Sequence, residues 1–223
     1  MHQRKSKKIL IYFFLLLLVG SINNTDINNL KFINIKNVTV DGLGNEDNQI
    51  IFEKINNLNL DNIFLLNKKE LSTEIESSSL VEKYYIFKRY PSTLNININK
   101  TKFLARISKN GKIYYLGSNG KLIENSILDN QIPFVFGNPK IIEFFNIKKI
   151  VDDSEISYGD IKNLYFYLSQ RWDLELKNNI LIKLPTNNVK EALEIASKFL
   201  HHNESKDVKI IDVRIKNQII LND

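Results

Sequence analysis

Residues 81–99 read VEKYYIFKRYPSTLNININ, and this stretch decides the fold. Val81 to Lys88 is a β-branched and aromatic run, the composition that suits a pleated, half-buried surface. Pro91 ends it, because proline cannot donate to a ladder. Beyond the break, Leu94, Ile96 and Ile98 alternate with Asn95, Asn97 and Asn99. That period of two predicts a strand with one apolar face. Two strands around a short break form a hairpin that needs helices to cover its apolar side.

The residues ahead of the hairpin supply them. Val38 and Val40 alternate with Asn37, Thr39 and Asp41, a strand ending at Asp41-Gly42. Residues 46–58 predict a helix with Ile50, Ile51, Ile55 and Leu58 as its stripe. Asn67 with Glu70 three residues on resembles a capping box for a second helix carrying Leu71 and Ile75. Residues 35–102 therefore read β-α-α-β-β, a small α+β module.

Residues 103–223 read as mainly antiparallel β with two helices. Asn110-Gly111 and Asn119-Gly120 are hairpin turns between the strands at Ala105–Ile107, Ile113–Leu116 and Leu122–Ile123. Ile132–Phe136 is a further strand, with Pro133 pointing to an edge or a strand start. Ser157 with Asp160 predicts a helix whose stripe is Ile161, Leu164, Tyr165 and Leu168. Trp172, Leu174 and Leu176 alternate with polar residues, then turn at Asn178-Asn179 into Ile180, Ile182 and Leu184. The second helix, about 12 residues, follows Asn188. The chain finishes with a strand at Val208–Ile215, a turn at Lys216-Asn217 and a strand at Gln218–Leu221.

Composition excludes several classes. With 43% hydrophobic, 10% aromatic and 25% charged residues, the chain is neither disordered nor collagenous. It has no cysteine, so a disulfide framework, thiolate metal site or Cys nucleophile is excluded. Ile, Asn and Lys number 33, 30 and 26, an excess that reads as genome bias and removes weight from Asn as a signal. The formal charge of +6 invites a nucleic-acid reading. Arg4, Lys5, Lys7 and Lys8 carry four of those units, and the rest of the chain is close to neutral. No nucleic-acid partner is expected.

Those four cations precede ILIYFFLLLLV at residues 9–19, which Gly20, Ser21 and Ile22 extend. Ile9, Leu10, Phe13, Phe14, Leu16 and Val19 carry its apolar character. A helix of that length covers roughly 21 Å, short of a hydrocarbon core of about 30 Å. The length suits a signal peptide, and Val19 and Ser21 fit a cleavage site after Ser21. The other reading is an uncleaved anchor at 9–22, with Lys7 and Lys8 snorkelling outward. In both, residues 1–8 stay cytoplasmic and the body, after a polar linker at 23–34, is exported.

Candidate chemistry is sparse. The histidines are His2, His201 and His202, and adjacent helical positions point about 100° apart, so the pair reads as a polar helix end. Asp152-Asp153 reads as the start of a solvated loop. Gly42-x-Gly44 lacks a third glycine, and Trp172 reads as core packing. No catalytic residue, metal site, cofactor or small-molecule substrate is expected. The feature that remains is the terminal strand. Gln218, Ile219, Ile220 and Leu221 carry neither charge nor Pro, the usual guards of an edge. Such an edge is an aggregation risk or a docking site for a partner strand.

The order of these parts resembles FtsQ/DivIB, the bitopic bacterial division family. The segment Arg89-Tyr90-Pro91-Ser92-Thr93-Leu94 is similar to the family's Arg-x-aromatic-Pro-x-Thr-Leu sequence closing its POTRA domain, without a residue between Arg and the aromatic. Ile35 to Gly42 resembles its I-x-x-V-x-V-x-G opening. Gly120 in Ser-Asn-Gly-Lys-Leu-Ile, Arg171 to Leu174, and Ile211-Asp212-Val213-Arg214-Ile215 resemble later motifs. The resemblance spans about 35–221. It implies an uncleaved inner-membrane anchor, shorter than the family's usual one, with a periplasmic body concentrated at the division site. It implies a non-enzymatic scaffold that links early and late division proteins and helps control septal peptidoglycan synthesis. It also implies that the terminal strand accepts a segment of an FtsB/FtsL-type partner by strand addition, with Arg214 and Ile215 supporting it. Beside it stands the reading of an exported POTRA-type adaptor for envelope protein assembly, released by signal cleavage.

Overall fold

The computed structural model describes residues 3–22, 34–58, 60, 62–124, 131–202 and 208–222. The linker's residues 23–33 lie outside the described residues, as do His2 and the side chains of Arg4, Lys5 and His202. Helix α1, Gln3–Ile22, carries the apolar run, with Phe13 61% and Leu16 72% exposed. No helix among the described residues is long and apolar enough to cross a membrane.

The chain divides into two compact units. In the first, β1 (Asn37–Asp41), α2 (Asn45–Asn56), α3 (Lys68–Glu76), β2 (Val81–Arg89) and β3 (Thr93–Lys100) follow in the expected order. The sheet order is β1-β3-β2, with β1 parallel to β3 and Val40 opposite Ile96. The period-two residues Val40, Leu94, Ile96 and Ile98 line the buried face, against Ile51 and Ile55 of α2 and Leu71 and Ile75 of α3. Burying each such side chain contributes about 2 kcal/mol. The expected stripe of α2 is wrong at Ile50, which is 53% exposed. Consecutive Ile50 and Ile51 cannot both face one sheet, and the structure buries Ile51. Asn67 caps α3, its Oδ1 accepting from Lys69 N at 3.1 Å and its Nδ2 donating to Glu70 at 2.7 Å. Gly42 lies at φ +119°, and a Cβ there would stand 1.8 Å from the Ile98 carbonyl oxygen, so only glycine lets β1 leave this close to β3.

The second unit is built on one nine-stranded sheet. Its elements are β4 (Phe103–Lys109), β5 (Lys112–Gly117), β6 (Leu122–Ile123), β7 (Phe134–Phe136), α4 (Ile141–Asp152), β8 (Ile161–Phe166), β9 (Trp172–Leu176), β10 (Leu181–Lys183), α5 (Val189–His202), β11 (Ile210–Asp212) and β12 (Ile220–Asn222). The order is β12-β11-β10-β9-β8-β7-β4-β5-β6. Most neighbours are antiparallel, but β10-β11, β4-β7 and β7-β8 are parallel. Leu164, Leu174, Ile182 and Ile211 face a core completed by Phe144, Ile147 and Val151 of α4 and by Leu193 and Ala196 of α5. Residues 79–83, at the start of β2, pack with this unit: Asn119 Nδ2 donates to the carbonyls of Ser79 and Val81 at 2.8 and 2.9 Å.

Three expectations are corrected here, and one pair of alternatives is resolved. Residues 161–166 form a strand where a helix was expected. Ser157 does cap, accepting from Gly159 N at 3.2 Å, but it caps one 3-10 turn at Tyr158–Asp160. A register irregularity between Ile161 and Asn163 lets Ile161 and Leu164 both face the core, which imitates the helical spacing of three. The helix lies instead at Ile141–Asp152, so Asp152 ends a helix and bonds Lys148, and does not begin a loop. Pro133 precedes a strand flanked on both sides, and its carbonyl accepts from Arg106 N at 2.9 Å; it marks a strand start and not an edge. The last two strands are shorter than expected, at Ile210–Asp212 and Ile220–Asn222.

Candidate partner-binding edge

The β11 strand is the last buried rung of the sheet. Ile211 is fully buried and Val213 is 3% exposed, and Val213 N donates to Lys183 O at 3.1 Å. Asp212 and Arg214, two residues apart in extended chain, lie on the same side. Arg214 Nη2 meets Asp212 Oδ2 at 2.6 Å and its Nε meets both carboxylate oxygens, at 2.9 and 3.0 Å. These bonds hold the Asp212 carboxyl below its usual range, against partial burial that pushes it up. The chain then turns, with Asn217 at φ +58° and Gln218 N donating to Ile215 O at 3.1 Å.

After the turn, β12 pairs antiparallel with β11: Ile210 opposite Asn222, Ile211 opposite Leu221 and Asp212 opposite Ile220. Nothing among the described residues pairs with its other side. The register resolves which side chain faces where. Leu221 stands opposite core-facing Ile211, and Ile219 packs against the core. Ile220 stands opposite Asp212 on the open face of the sheet and is 50% exposed. Of the six residues expected to meet a partner, only Ile220 and Leu221 lie on the strand itself. Gln218 and Ile219 lead into it, and Arg214 and Ile215 belong to the turn, where Arg214 clamps Asp212.

The open face next to this edge carries a row that the residue pattern did not single out. Ile220, Asp212, Lys183, Asp173, Tyr165 and Phe136 are successive cross-strand neighbours. Part of its signal was present in Asp173, Lys183 and Asp212, the polar members of alternating runs, but not in Tyr165, Phe136 or Ile220. Asp173, 1% exposed, is held by Arg171 at 3.2 Å. Phe136 stacks on Tyr165 with centroids 4.9 Å apart. Tyr165 in turn donates to Glu175 at 2.6 Å, and Asn163 and Lys162 also donate to that carboxylate, at 2.8 and 2.9 Å. Burial pushes the Glu175 carboxyl up, but these three donors outweigh it and bring it down to about 2. A carboxyl with a depressed folded value stabilises the fold above its unfolded value and loses that contribution as pH falls through the folded one. Acid unfolding is therefore expected to steepen between pH 4.5 and about 2, and Glu175→Gln to flatten that segment of a stability-against-pH curve.

The remaining candidate chemistry is dispersed. His201 lies 3.9 Å from Glu155, both exposed. Trp172 is 6% exposed and packs on Phe166 at 4.8 Å, a core role. Among the described residues no three His, Cys, Asp or Glu groups gather as a metal site.

A three-stranded β-α-α-β-β unit followed by a large β sheet with two helices and an open terminal strand defines a POTRA-type module joined to a β domain. Residues 33–100 match the POTRA domain, FtsQ-type, and residues 105–214 match the C-terminal domain of cell division protein FtsQ/DivIB. Cell division protein FtsQ of Rickettsia bellii is 25% identical over 196 residues, covering 82% of this chain and 70% of that protein. Cell division protein DivIB of Clostridium botulinum is 26% identical over 226 residues, covering 93% and 86%. The extracytoplasmic domain of DivIB from Geobacillus stearothermophilus aligns over 48% of this chain and 99% of its own, at 11% identity and a TM-score of 0.33. The chain belongs to the FtsQ/DivIB family of cell division proteins.

Proposed function

We propose that this chain is a non-enzymatic division scaffold that receives a strand of an FtsB/FtsL-type membrane partner on β12. It thereby links early and late division proteins at the septum and helps control septal peptidoglycan synthesis. The observation that carries the reading is the one-sided pairing of β12, with Ile220 and Leu221 exposed and uncharged. An open strand offers main-chain donors and acceptors for affinity and side-chain pockets for specificity. In this reading α1 holds the chain in the inner membrane, with Arg4, Lys5, Lys7 and Lys8 cytoplasmic and the body periplasmic. Co-purification from membranes, with the partner identified by mass, tests it. Depletion is expected to give filaments with normal DNA segregation, and normal division on depletion would refute it.

A second reading has support in one observation, the shortness of the apolar run. In it, the segment is a signal peptide and the body is a freely exported adaptor. Intact-mass measurement separates the two. The scaffold reading expects the full-length N-terminus in the membrane fraction; a mature chain starting near Ile22 would exclude the anchor.

A further inference from the structure

Residues 62–66 read Asn-Ile-Phe-Leu-Leu, an apolar run in the connection between α2 and α3. Connections are normally polar. Ile63 is fully buried and pins this one, while Phe64 and Leu65 are 61% and 81% exposed. The tip is held in that posture. Phe64 N donates to Asn62 Oδ1 at 2.8 Å, and Lys88 Nζ donates to Ile63 O at 2.5 Å. Tyr90, 59% exposed at the β2-β3 turn, stacks on Phe64 with centroids 4.9 Å apart and planes 22° from parallel. Three protruding apolar side chains thus share one corner of the POTRA unit.

One cation sits at that corner and two more stand close to it in sequence. The Lys88 ammonium sits against the tip itself, Arg89 precedes Tyr90, and exposed Lys68 opens α3 just beyond it. The nearby carboxylate of Glu70 is engaged by Asn67. A convex apolar tip beside cations is complementary to an anionic lipid surface: aromatic rings rest at the headgroup level and Lys and Arg meet the phosphates. The chain length agrees. Residues 23–36 join α1 to β1, and fourteen residues reach about 50 Å at most. With α1 in the bilayer, this unit is kept at high effective concentration beside it.

We infer that the Phe64–Leu65 tip, with Tyr90 and its basic rim, docks the POTRA unit onto the anionic membrane surface. The inference rests on the reading of α1 as the anchor. The test uses the full chain, which has no native cysteine, so Leu65→Cys gives a single labelling site for an environment-sensitive fluorophore. Thr39→Cys, on the exposed face of β1 in the same unit, is the control. Each is reconstituted in phosphatidylcholine vesicles with and without phosphatidylglycerol. The label at 65 is expected to shift to the blue and to be quenched by lipid-borne quencher more than by aqueous iodide, more so with phosphatidylglycerol. The label at 39 stays accessible to iodide. Phe64→Ser and Lys68→Glu are each expected to reduce the shift at 65. A chain that floats with the vesicles while its label at 65 remains as iodide-accessible as the one at 39 overturns this inference alone. A chain that does not float overturns both it and the anchor. Shielding of 65 that arises only when another division protein is added assigns the tip to a protein contact and also overturns the inference.

Discussion

Ile220→Lys is expected to reduce capture of the strand-donating partner by at least about tenfold, equivalent to about 1.4 kcal/mol, while leaving the fold in place. The residue is half exposed, on the open face, at the first position of a three-residue edge strand. Its cross-strand neighbour is Asp212, so an ammonium there gains an opposite charge within the chain. The same ammonium guards the edge, because an incoming strand must desolvate it. Ile219 is a poorer site for this test. It packs against the core, and any change there mixes lost packing with lost binding. The measurement is a titration of the purified chain with the partner's periplasmic segment, beside a thermal melt. A midpoint moved by only a few degrees with unchanged affinity would remove β12 as the docking strand.

Much of this site was legible in the residues because an edge is defined by what it lacks. The uncharged run Gln218–Leu221 after the Lys216-Asn217 turn already marked an unguarded strand. Its facing was not legible. Period two gives alternation but not phase, and both Ile219 and Ile220 are apolar. Only the pairing of Leu221 with buried Ile211 sets the phase. Arg214 has a contact that its place in the expected strand Val208–Ile215 did not show, because its guanidinium donates to Asp212 two residues back. The POTRA unit was legible because Leu94, Ile96 and Ile98 alternate cleanly with asparagines and because Pro91 fixes the break. Helix α4 was not, although Phe144, Ile147 and Val151 carry its period. Ile141, Ile142 and Ile150 fill the intervening positions, and a chain so rich in isoleucine blurs the difference between a stripe and a uniform run. The tip at Phe64–Leu65 hid in the same way, as two more apolar residues in a run whose Ile63 is core.

The segment 157–168 offers the sharpest energetic contrast. As a helix, Leu164 and Leu168 would share one buried stripe at i and i+4, and truncating either would cost a similar amount. The structure separates them completely. Leu164 is fully buried on β8, opposite Leu174 on one side and Val135 on the other. Leu168 lies beyond the strand end and is as exposed as in an extended chain. Leu164→Ala is therefore expected to destabilise the β domain by about 2–5 kcal/mol, the transfer free energy plus the cavity left in a sheet that cannot close around it. Leu168→Ala is expected to stay within about 0.5 kcal/mol of the parent. Chemical denaturation of the two variants measures both values. Equal losses would restore the helix and break the order β7-β8-β9, and with it the chain of cross-strand neighbours that places Asp212 and Ile220 at the edge. The size of the Leu164 effect is thus also a test of the site, because the sheet that presents β12 is assembled through β8.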